Sequence, residues 1–111
     1  MCSRNVNIEG LIEFLKLKNE LTEIEKSILN SYELIYDKNS SKEELIYQIK
    51  DNRFKYYLIE KEVKNIGSTI VENVSVSLLE ELNVDDLRAN LFNQLLILCD
   101  KYIITKYNDK R

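Results

Sequence analysis

The chain has 111 residues, a net charge of −3, 44% hydrophobic and 32% charged residues, no proline and two glycines. That length suits one domain with a core of its own, and the balance excludes both a disordered chain and a strongly basic nucleic-acid binder. Without proline, and with glycine only at Gly10 and Gly67, long helices are favoured over a sheet joined by tight turns.

The opening MCSRNVNIEG lacks the apolar run of a signal peptide, and no later run approaches the roughly 18 residues of a membrane span. A cytoplasmic location without membrane contact is therefore expected. Cys2 and Cys99 then read as a free thiol and a buried, apolar one. Over residues 6–37, Phe14, Leu17, Leu21, Ile24, Ile28, Ser31 and Ile35 recur at steps of three and four, which predicts one long helix. Ile8, Leu11 and Leu15 form a second patch near its start. Asp37-Lys38-Asn39-Ser40 ends that pattern, and Ser41-Lys42-Glu43-Glu44 is a capping box that opens a second helix.

The second helix is expected over 42–66, with a seam of Leu45, Ile49, Asn52, Tyr56, Ile59, Val63 and Ile66 and a stop at Gly67. Residues 70–82 predict a short third helix, or a continuation of the second. Val74, Val76 and Leu78 alternate with serines as in a strand, but so short an alternation with no partner strand cannot satisfy its backbone groups. Asn73-Val74-Ser75 matches a glycosylation acceptor, which is a chance match in a cytoplasmic chain. The last helix, over 84–107, starts from Asn83 as cap, with Asp86 three residues on. Val84, Leu87, Leu91, Leu95, Leu98 and Tyr102 make one stripe; Phe92, Leu96, Cys99 and Ile103 make another beside it. Such a broad apolar face predicts the central helix, with Leu91, Leu95 and Leu98 in the core.

The expected fold is all-α: a single domain over 1–111, folded as an antiparallel three- or four-helix bundle. The first predicted helix is net acidic and the second net basic, which favours their pairing.

Chemistry is sparse. There is no histidine, which removes the commonest general base and metal ligand. Two distant cysteines cannot make a zinc site, and two distant glycines cannot make a phosphate loop. Asp37, Asn39 and Ser41 have the spacing of the first ligands of a calcium loop, but Lys42 and Gln48 stand where the turn glycine and bidentate glutamate belong. No catalytic, metal-binding or cofactor-binding residue is assigned, and a non-enzymatic role is expected.

The surface is more informative. Lys50, Arg53, Tyr57, Lys61 and Lys64 share one arc of the second helix, a basic face with an aromatic side chain. It suggests a protein-binding module such as a regulator, an inhibitor, an immunity or antitoxin-type protein, or an assembly adaptor, whose partner offers an acidic surface. The alternative is a nucleic-acid-associated regulator using the same face; the net negative charge of the chain disfavours it. Tyr47, Phe54 and Leu58 lie outside the main seam, so homodimerisation through the second helix is a further expectation.

Overall fold

The computed structural model describes residues 8–56 and 76–109. Among these residues every regular element is a helix, with no strand. The elements are α1 (Ile8–Lys16), α2 (Glu23–Tyr36), α3 (Lys42–Tyr56), a 3-10 helix (Val76–Glu81) and α4 (Val84–Asp109). No described helix is long and apolar enough to cross a membrane.

The single long helix expected over 6–37 is two helices. Leu17 and Lys18 donate their backbone N–H groups to the carbonyls of Phe14 and Leu15, three residues back, at 3.2 and 3.1 Å, which tightens and closes α1. Thr22 then caps α2. Its hydroxyl accepts from the Glu25 N–H, and its own N–H donates to Glu25 Oε1 at 2.8 Å, a reciprocal capping box. Because the helix restarts, its phase resets. Phe14 and Leu17, placed on the inner stripe by a continuous helix, are 53% and 83% exposed, while Ile12 and Leu15 are buried.

The other boundaries fall where the caps predict. Ser41 and Glu44 form the second capping box, with the Ser41 N–H on Glu44 Oε1 at 2.9 Å and the Glu44 N–H on Ser41 Oγ at 3.1 Å. Asn83 Oδ1 accepts from the Asp86 N–H at 2.8 Å at the start of α4. The turn before α3 is held by the Asn39 N–H on Asp37 Oδ1 and by Ser40 Oγ on the Leu34 carbonyl, each at 2.9 Å. Residues 57–75, which carry the rest of the expected second helix and the start of the third, lie outside the described residues.

α4 packs against both α2 and α3, and α2 packs on α3 and α1. Ser31 meets Asn52, and Ser27 meets Tyr56 four residues further along α3; α2 and α3 are therefore antiparallel. Arg88 reaches the Asp37 carbonyl and Tyr102 reaches Glu25, so α4 also runs antiparallel to α2. Leu87, Leu91, Leu95, Leu98 and Tyr102 are all buried, as the stripe predicts; of the second stripe Cys99 is buried, while Leu96 and Ile103 are exposed.

The core has two parts. One gathers Leu45, Ile49, Leu79, Leu82, Leu87 and Leu91. The other gathers Ile12, Leu15, Ile28, Leu95, Leu98 and Tyr102. Between them lies a layer of buried polar side chains: Ser31, Gln48, Asn52 and Gln94.

Candidate functional site

The expected basic face is only partly within the described residues. Lys50 is exposed, but Arg53 is 6% exposed and so is no part of an open face. Tyr57, Lys61 and Lys64 lie outside the described residues. Arg53 is buried because Ile46, Ile49 and Arg53 form a row at steps of three and four beside the Leu45, Ile49, Asn52 seam. Ile46 is buried as well. The buried face of α3 is thus wider than one seam, and it takes in a position that the sequence reading gave to solvent.

A groove of about 440 Å³ opens on another side of α3, between it and α2. Asn30, Glu33, Leu34 and Asp37 line it from the end of α2; Glu43, Glu44, Tyr47 and Gln48 line it from the start of α3. The pairs Asn30–Leu34, Glu33–Asp37, Glu43–Tyr47 and Glu44–Gln48 are each one helical turn apart, so each wall is a short ladder of neighbours. The carboxylates cluster for local reasons. Glu43 and Glu44 occupy the first turn of α3, where the helix dipole favours negative charge, and Asp37 is the C-cap of α2.

Asp37 and Glu44 also serve the turn and the cap. Glu33 and Glu43 are exposed, and neither has an ion pair among the described residues. Tyr47, 69% exposed, stands on the wall with its ring accessible. The groove therefore concentrates negative charge around an aromatic ring and an apolar wall, and no cation among its lining residues compensates it.

Gln48 ties this groove to the buried polar layer. Gln94 Nε2 donates to the Ile49 carbonyl at 3.2 Å. A backbone carbonyl can only accept, so this bond fixes which way the Gln94 amide points. Gln94 Oε1 then accepts from Asn52 Nδ2 at 3.1 Å, and the same nitrogen donates to Ser31 Oγ at 3.1 Å. Asn52 Oδ1 in turn accepts from Gln48 Nε2 at 3.0 Å. Each amide orients the next, and the chain ends at Gln48 with its oxygen left over. No described group donates to Gln48 Oε1, nor is that atom sealed from solvent.

A second polar cluster sits at the other end of the bundle. Glu25, fully buried, accepts from Lys18 Nζ at 2.7 Å, the Thr22 N–H at 2.8 Å and the Tyr102 hydroxyl at 2.6 Å. Burial by itself pushes its carboxyl upward, but these hydrogen bonds and the Lys18 charge outweigh burial and hold it down at about 2. Burial and then the bond to Glu25 push the Tyr102 hydroxyl well above the usual tyrosine range. Three donors thus hold Glu25 as a carboxylate, and the cluster ties the corner between α1 and α2 to α4. Burial, and to a lesser degree Asp100, pushes the Cys99 thiol up to about 11, which keeps it protonated and unreactive.

Comparison with known families, with curated proteins and with solved structures finds no match to this chain.

Proposed function

We propose that this chain is a non-enzymatic protein-binding module that receives a basic segment of a partner protein in the α2–α3 groove. The observation that carries this reading is the pair of uncompensated carboxylates, Glu33 and Glu43, flanking a groove walled by Leu34 and the exposed Tyr47. An amphipathic segment with lysine or arginine on one face matches both features, since its apolar stems lie on the wall and its charges meet the rim. The sign is opposite to that of the acidic partner expected from the basic face, of which Lys50 is the one exposed member among the described residues. A nucleic acid fits poorly, because phosphates would meet four carboxylates at this groove.

The test is cross-linked capture from the native cell with wild type and with the Glu33→Lys, Glu43→Lys double variant. The expected result is a partner whose cross-linked peptide is rich in lysine or arginine, joined to α2 or α3, and lost with the double variant. Equal capture by both proteins, cross-links mapping elsewhere, recovery of nucleic acid, or cross-links joining two copies of this chain across α3 would each sink the proposal.

A further inference from the structure

Resting on that reading, we infer that the groove is a receptor for a single arginine side chain of the partner, whose guanidinium donates to Gln48 Oε1 and to the carboxylates of the rim. The second, independent sign of a ligand is Gln48 itself. It is only 5% exposed, it lines the groove, and no described group donates to its outward oxygen. Its orientation is not free to change. Turning the amide over would aim its oxygen at Asn52 Oδ1, and correcting that clash would require turning Asn52 and Gln94 until Gln94 faced the Ile49 carbonyl with an acceptor. The buried layer thus holds Gln48, a residue of the groove lining, with its oxygen as the free acceptor, which a donor on the ligand can meet.

Charge and shape narrow the donor. The rim carboxylates require a cation, and no group of three acidic or cysteine side chains among the described residues is arranged to hold a metal ion. A cation carried on a hydrocarbon stem also uses the apolar wall at Leu34, which a bare ion would leave uncovered. Acceptors lie on both walls and at Gln48, so a ligand must present several N–H groups in different directions at once. A guanidinium has five in a rigid plane, whereas an ammonium is a compact point charge. Tyr47 gives a ring face on which that plane can stack, and Leu34 gives an apolar wall for the methylene stem.

The test uses the full-length ¹⁵N-labelled chain and three probes: N-acetyl-arginine amide, N-acetyl-lysine amide and N-acetyl-citrulline amide. Arginine and lysine amides share one charge, and citrulline is a near-isostere of arginine without it. With arginine amide, the Gln48 side-chain amide and the Tyr47 ring should shift and saturate at millimolar concentration. Lysine amide should bind about five-fold more weakly or worse, and citrulline amide should not saturate. The Glu33→Gln, Glu43→Gln variant, whose altered side chains are exposed, should weaken the arginine amide by about five-fold or more. Gln48→Leu should abolish the preference for arginine over lysine; if it fails to fold, the exposed double variant still decides the matter. Equal responses to arginine and lysine amides, or shifts that bypass Gln48, would overturn the arginine receptor while a basic partner captured by cross-linking could stand. No saturable response to any probe would overturn it as well, and failure of the capture experiment too would remove the groove reading.

Discussion

Replacing Glu25 by glutamine tests the cluster on which the α1–α2 corner depends. Glutamine keeps the size of the side chain and one oxygen for the Thr22 N–H, so the capping box survives. Its amide nitrogen, however, takes the place of Oε2, which accepts from both Lys18 and Tyr102. The tyrosine hydroxyl can rotate and accept instead; the lysine ammonium has nothing to accept with. The size of the loss follows from linkage. The folded carboxyl sits at about 2 against an ordinary value of 4.5, a difference worth about 3 kcal/mol. Since the folded value is the lower one, this stability is fully present above the ordinary carboxylate range and drains away as pH falls towards about 2, with about 2 kcal/mol already gone near pH 3. Urea denaturation of both proteins, followed by helical circular dichroism from about pH 7 down to about pH 3, measures it. The variant should be less stable by about 3 kcal/mol near neutrality, and the gap should narrow to about 1 kcal/mol near pH 3. Comparing the two proteins cancels the titration of the other carboxylates. A gap that stays constant with pH, or one below about 1 kcal/mol at neutrality, would refute the reasoning.

Leu95 is fully buried in α4, and Leu95→Ala should cost about 2 to 5 kcal/mol by urea denaturation. Asn52→Ala strands Ser31 Oγ, Gln48 Nε2 and Gln94 Oε1 at once, so it should cost about 3 kcal/mol or more in the same measurement. Leu17→Ser should leave stability within about 0.5 kcal/mol, and Thr22→Ala should cost about 1 kcal/mol; the reverse order would mean that α1 and α2 form one helix in solution. In a Cys2→Ser background, Cys99 should react with a thiol reagent near neutral pH only as fast as the protein unfolds, because the thiol is buried and held protonated.

Where sequence pattern and structure agree, one signal acts without a competitor. Along α4 steps of four, four, three and four run from Leu87 to Tyr102 without glycine or proline, and each of these five side chains is buried. The caps at Ser41 and Asn83 were readable for the same reason. The break between α1 and α2 was not, because two true signals conflicted. Apolar spacing runs straight through residues 17–22, and no glycine or proline interrupts it. Thr22 with Glu25 was the readable sign of a restart, and the buried acceptor role of Glu25 strengthens it. Arg53 went astray because charge on a wheel suggests solvent, although Ile46 one heptad earlier marks the same row as buried. The groove was hidden for another reason: Glu33 and Asp37 meet Glu43 and Tyr47 only once the helices pair, and no spacing within either helix reveals that.

The pairing register is what makes the groove, and the polar layer explains the register. Four carboxylates along two adjoining walls repel one another, so the groove itself cannot hold α2 against α3. Apolar contacts alone would tolerate a slide, since Leu45, Ile49 and Tyr56 repeat at nearly helical intervals. Sliding α3 by one turn, however, would carry Asn52 away from Ser31 and Gln94 and leave those buried groups unsatisfied, at about 1 to 3 kcal/mol each. Apolar neighbours at the same positions could make a bundle as stable, but one less committed to a single alignment. The same amide chain that selects the alignment also leaves Gln48 with its oxygen turned outward. Register and the chemistry of the groove wall are therefore consequences of one set of hydrogen bonds, which is why Asn52, remote from solvent, should affect binding at the groove as well as stability.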